Sequence, residues 1–81
     1  MTTTVRDQQN ELVLAQMREL PYVTWWAAEP LASACRVALG FERSGSGQDA
    51  ARSVIDRALR RLRRRGLVES SGGGLWRAVK A

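Results

Sequence analysis

The residue types able to do chemistry in this 81-residue chain are few, and one of them is concentrated. Residues 57–65 read RALRRLRRR, six arginines in nine positions on a chain with a single lysine. Between Gln48 and Arg65 lie seven arginines and two aspartates, a local charge of +5. The remaining residues carry six basic and six acidic side chains, so the entire net charge of +5 sits on one segment. A clustered basic face can hold a phosphate backbone, and a scattered excess cannot. The bland alternative is a solvated helix end, which an arginine run often is.

Catalytic chemistry has little to work with. There is no histidine, so neither a histidine general base nor a histidine metal ligand is available. The serines have no base partner, and no lysine is placed to replace one. The stretch GSGQDAARS (45–53) resembles a phosphate-binding loop in glycine content alone; it lacks the Gly-Lys-Ser/Thr ending, and no strand pattern precedes it. Carboxylates are scattered without metal-ligand spacing. The expectation is a non-enzyme with no cofactor and no metal. Cys35, beside Ala34, Val37 and Ala38, reads as a buried reduced thiol in a cytoplasmic protein. The stretch MTTTVRDQQNE has no secretory pattern, and no apolar run approaches the ~20 residues that span a bilayer. Hydrophobic residues at 44% and charged residues at 26% fit one small folded domain, expected over 6–81 after a flexible 1–5.

The elements that must position the arginines follow from periodicity. A helix is expected over 6–20, with Val13, Met17 and Leu20 on one face, Leu12 and Leu14 widening it, and Pro21 as its stop. The wide apolar arc is either generous core coverage or, at Leu14, part of a partner interface. Tyr22 and Val23 suit a very short strand, and Thr24 a helix N-cap. A second helix is expected within 25–39, with Leu31, Cys35, Ala38 and Leu39 as its stripe. Pro30 leaves two possibilities: a first turn over 25–28 kinked off, or a helix starting near Glu29 with Pro30 at its first position. One of Trp25 and Trp26 is expected in the core, with the other partly over it. Residues 40–48 read as a loop rich in glycine and serine. The third helix is expected over 49–65. Its stripe is Ile55, Ala58, Leu59 and Leu62, flanked by Ala51 and Val54, so the arginines belong to a folded helix. At 100° per residue, Ser53, Arg57, Arg60 and Arg64 point away from that stripe, and Arg52, Arg61 and Arg63 lie on its shoulders. Asp56 and Arg60 have the i, i+4 spacing of an ion pair. Gly66 ends the helix, Leu67 returns to the core, and 68–70 is expected to pair with 75–79 across a tip around 71–74.

A helix ending LRRLRRRGLVE, a glycine-rich tip and then LWRAV resembles the second half of a winged helix-turn-helix domain of the small bacterial, phage or plasmid regulator type. The expected order of helix, short strand, helix, turn, helix and hairpin covers 6–80. The turn at 40–48 is longer than is usual in that family. The resemblance implies an α+β fold, mostly α, with three helices and a C-terminal β-hairpin wing. It also implies sequence-specific binding of double-stranded DNA, and so transcriptional regulation. In such domains the third helix lies in the major groove and neighbouring groups hold phosphates. Carried onto this chain, Gln48, Arg52, Ser53 and Arg57 are the base-contact candidates, since arginine pairs with guanine and glutamine with adenine. Arg60, Arg61 and Arg64 are the phosphate candidates in the helix, with Ser71, Gly73 and Arg77 in the wing. Trp76 reads as a packing residue.

A module this small makes a small interface, so two half-sites and a homodimer are expected. Two other classes stay open: a protein-interaction module anchored at Leu14, Trp25 and Trp26, and a non-specific nucleic-acid or structured-RNA binder. No membrane partner is expected.

Overall fold

A computed structural model describes residues 4–19, 25–41 and 45–79. The architecture is α+β and mostly helical, with three helices and a small three-stranded antiparallel sheet.

The first helix, α1, spans Val5–Glu19. Thr4 caps it by accepting the Asp7 amide at 3.1 Å on its Oγ1, and Asp7 also sets a negative charge in the first turn. Val5 is thus helical where a flexible start was expected. Asn10, Val13 and Met17 form the buried stripe, and Leu14 packs partly against the core beside it. Leu20, Pro21, Tyr22, Val23 and Thr24, the remaining expectations for this stretch, lie outside the described residues.

The short strand falls at Trp26–Ala27 (β1), directly before α2 at Ala28–Cys35. Pro30 is the third residue of α2. The first-turn amides of a helix have no intrahelical acceptor, so a residue without an N–H breaks nothing there. The second helix therefore does not begin at Trp25, and it also stops sooner than its periodicity suggests. Residues 36–40 form a turn that closes with Gly40 N on Val37 O and Phe41 N on Arg36 O, both at 3.0 Å. Ala38 lies in this turn and is exposed, not buried.

The longest element, α3, spans Gly45–Arg64. It begins four residues earlier than the expected 49, so residues 45–48 of the anticipated loop are helix. Ala51, Ile55, Ala58, Leu59 and Leu62 are buried along it. Each large apolar side chain taken from water there contributes on the order of 2 kcal/mol, which holds the arginine-bearing backbone to a rigid core. The helix ends in a Schellman arrangement: Leu67 N donates to Leu62 O and Gly66 N to Arg63 O, each at 3.0 Å, with Gly66 at φ +75°. Leu67 folds back onto the core.

The last two strands, β2 (Val68–Ser70) and β3 (Leu75–Ala78), pair antiparallel in the register Val68↔Ala78, Glu69↔Arg77 and Ser70↔Trp76. β1 adds to the other side of β3, with Trp26 opposite Trp76, giving the sheet order β1-β3-β2. Val68 and Trp26 enter the core directly, while Trp76 and Ala78 pack against it. All three helices and the sheet thus share one cluster, which fixes the outer face of α3 relative to the hairpin.

Candidate nucleic-acid interface

α3 has a sharply divided surface. On the side away from its buried stripe, Ser53, Arg57, Arg60 and Arg64 are exposed, and Arg63 is exposed on one shoulder. None of these five side chains has a hydrogen bond or ion pair to another described residue. The i, i+4 pair expected between Asp56 and Arg60 does not form: the described ion pairs are Arg52–Glu29, Arg65–Asp7 and Arg77–Glu69. Arg57, Arg60, Arg63 and Arg64 therefore stand as uncompensated charge in the last two turns, where cations also suit the negative end of the helix dipole.

The other candidates have internal occupations. Gln48 is half-buried between α2 and α3. Its Nε2 donates to the Glu29 carbonyl at 3.2 Å and to Glu29 Oε1 at 2.9 Å, while its Oε1 accepts from Ser33 Oγ at 3.2 Å and Arg36 NH1 at 3.4 Å. A primary amide has two donor hydrogens and two acceptor lone pairs, and all four are committed. Gln48 is therefore a tie between the helices, and these bonds leave its amide no spare donor or acceptor for the adenine expected of it. Beside it, Arg52 NH1 donates to Glu29 Oε2 at 2.9 Å, with both side chains more than half exposed. Pairs so exposed contribute about 0–1 kcal/mol to stability, so this one can share its guanidinium with a second partner.

Arg61 turns the other way, toward α1. Its Nε donates to Asn10 Oδ1 at 3.0 Å, and Arg61 is only part-exposed, with Asn10 3% exposed. Burial, followed by the fields of Arg6, Arg65, Arg64 and Arg57, holds its pKa below the usual guanidinium value. It packs in the α1–α3 junction, where its Nε is engaged by Asn10 and not turned outward as a phosphate contact would need. Arg61 NH2 and Asn10 Nδ2 are buried there without an acceptor among the described residues. Arg65, next to it, faces Asp7 at 3.7 Å.

The hairpin is also largely self-satisfied. Arg77 pairs with Glu69 across the strands and lies over the Trp25 ring, 4.5 Å from its centroid. The register sets Glu69 opposite Arg77, so Glu69, Arg77 and Trp25 form one row across the outer face of the sheet. At the tip, Ser71 N donates to Leu75 O at 3.0 Å and Gly73 N to Ser71 Oγ at 3.1 Å. The Ser71 and Gly73 amides expected to meet phosphate are thus used within the tip, and Arg77 is answered by Glu69.

The tryptophans are separated in role. Trp26 is 7% exposed and belongs to the core, while Trp25 is part-exposed beneath Arg77. Trp26 therefore offers no surface to a partner, and Leu14 is half-covered by the core. Cys35 is buried, and burial pushes its thiol up to about 11. Among the described residues no group of three or more histidine, cysteine or acidic side chains could hold a metal ion, and no helix is long and apolar enough to cross a membrane.

Three residues that shape this surface were not candidates in the sequence: Glu29, Asn10 and Ser33. Asn10 had a signal, since it continues the Val13–Met17 stripe one turn toward the N-terminus. Glu29 had none, because its partners lie 19 and 23 residues away. Comparison with family models, with curated proteins and with solved structures finds no match for this chain.

Proposed function

We propose that this chain is a sequence-specific double-stranded DNA-binding domain of the winged helix-turn-helix kind, acting as a small transcriptional regulator. In this reading α3 enters the major groove and the β2–β3 hairpin is the wing. The observation that carries it is the set Arg57, Arg60, Arg63 and Arg64: four exposed guanidiniums without an internal partner among the described residues, on a helix whose opposite face is anchored in the core. Arg36, Arg52, Arg61, Arg65 and Arg77 each have an internal acceptor or counter-charge. Arg6 and Arg18 on α1 are also exposed without such a partner, but only α3 gathers four free guanidiniums within two turns, a strip that a phosphate backbone can follow. The element order and the sheet order β1-β3-β2 support the same reading.

Within it, Ser53, Arg57 and Arg52 face base edges, and Arg60, Arg63 and Arg64 hold phosphates. A homodimer supplies the second half-site. The protein-interaction alternative is weaker, since Trp26 is buried and Trp25 is covered by Arg77. The test is selection from a random duplex library at about physiological salt, where the non-specific phosphate contribution is held down. A defined motif, repeated as half-sites, is expected. Binding without a motif that vanishes as salt rises, or preference for structured RNA at matched salt, would overturn the proposal.

A further inference from the structure

We infer that Glu29 is a positioning residue that presents Arg52 to guanine, so that base preference at the N-terminal half of α3 is set from α2; the inference rests on the DNA-binding reading above. The two carboxylate oxygens of Glu29 are divided between two tasks. Oε1 accepts from Gln48 Nε2 at 2.9 Å, and Oε2 accepts from Arg52 NH1 at 2.9 Å. The first contact is anchored, because the Gln48 amide is fully committed to Glu29, Ser33 and Arg36. Glu29 is consequently held at a fixed place on the α2–α3 seam, although its side chain is 55% exposed.

Arg52 is tied through one terminal nitrogen, and its Nε and NH2 have no partner among the described residues. A guanidinium held at NH1 still offers its Nε–NH2 edge, which is the two-donor fork that matches guanine O6 and N7. Orienting that fork beforehand removes part of the ordering cost of binding. The carboxylate also discriminates by charge. A phosphate drawn to Arg52 must approach Glu29, which repels it, while the guanine edge is neutral and is not repelled. A free arginine at this position would take either ligand. The same logic accounts for an ion pair that contributes little to the fold: its consequence lies in where the donor edge points.

The experiment is duplex selection and salt-dependent binding with wild type, Arg52→Ala, Glu29→Gln and Glu29→Ala, each with its melting temperature. The Arg52→Ala motif identifies which guanine Arg52 reads. Glu29→Gln is expected to lower the preference for that guanine about tenfold. It is also expected to raise non-specific duplex affinity and to steepen the salt slope by about one, as Arg52 becomes available to phosphate. A merely structural role would instead lower the melting temperature and weaken all DNA alike. If Glu29→Ala fails to fold, Glu29→Gln, which keeps the size and one acceptor oxygen for Gln48 while removing the charge, carries the test. A wild-type motif whose guanine dependence and salt slope are unchanged in Glu29→Gln overturns this inference alone. A wild type that selects no motif overturns the DNA-binding reading and this inference with it.

Discussion

The division of the arginines into free and internally answered sets has a quantitative consequence for salt dependence. Replacing Arg64, one of the free set, by alanine is the perturbation, and Arg61→Ala is its control. Each phosphate neutralised by a protein cation releases condensed counterions, so the logarithm of affinity falls linearly with the logarithm of salt. The four free arginines of α3, Arg57, Arg60, Arg63 and Arg64, predict a slope of about −3.6 for random-sequence duplex docked on that helix, or roughly a 150-fold loss of affinity between about 50 and 200 mM salt. Arg64→Ala should make the slope shallower by about 0.9 without altering the melting temperature. Arg61→Ala should leave the slope unchanged while lowering stability, because its guanidinium is spent on Asn10 in the α1–α3 junction. The assay is fluorescence anisotropy of a labelled duplex across that salt range, beside thermal melts of the same samples. A slope near about −6 would mean that the internal ion pairs of Arg52, Arg65 and Arg77 do not restrain them, and the reasoning would fail. Equal slope changes from Arg61→Ala and Arg64→Ala would refute it as directly.

Gly66→Ala should destabilise the fold by about 1–2 kcal/mol, since a Cβ there meets nothing within 4 Å and the cost is purely that of a left-handed backbone at φ +75°. In urea denaturation the midpoint should drop with an unchanged m-value, whereas Gly73→Ala, which needs no positive φ, should sit close to wild type. Cys35 supplies a pH dependence whose sign is fixed. Below its ordinary pKa of 9.0 the thiol is protonated in both states, and between 9.0 and about 11 the unfolded chain ionises while the folded one does not. Stability should therefore fall as pH rises through that window, by more in wild type than in Cys35→Ala; parallel curves for the two proteins would contradict the burial of this thiol.

Much of this fold can be read from local pattern. The stripe Ile55–Ala58–Leu59–Leu62 is a strong helical period, and Gly66 followed by Leu67 is a local stop, so the inward and outward faces of α3 follow from spacing alone. The hairpin is equally local, with two short runs separated by glycines. What escaped is non-local. β1 exists because Trp26 pairs with Trp76, fifty positions away, and nothing near Trp26 announces that partner. The start of α3 at Gly45 escaped because Gly-Ser-Gly has poor helix propensity, and the first turns are tied to α2 through Gln48, a contact no propensity scale contains. The candidate site divides the same way. Exposure of Ser53, Arg57, Arg60 and Arg64 follows from the helical wheel, but whether an arginine is free depends on acids elsewhere in the chain. Glu29, Asp7 and Glu69 each answer an arginine from another element, and charge counting along the sequence cannot register that.

The sheet order has a bearing on how copies of this protein can assemble. The longest strand, β3, is in the middle, and the two edges are only two and three residues long. An edge strand recruits another chain by offering a row of unpaired backbone groups, and such short edges offer almost none. Glu69 places a charge on the longer of them, and the amides of its adjoining tip are turned inward onto Ser70 and Ser71. Strand addition is thus a poor route to self-association for this chain. Copies of this chain would then be joined through side chains and not through a shared sheet, so the three-stranded sheet keeps its strand count in each copy.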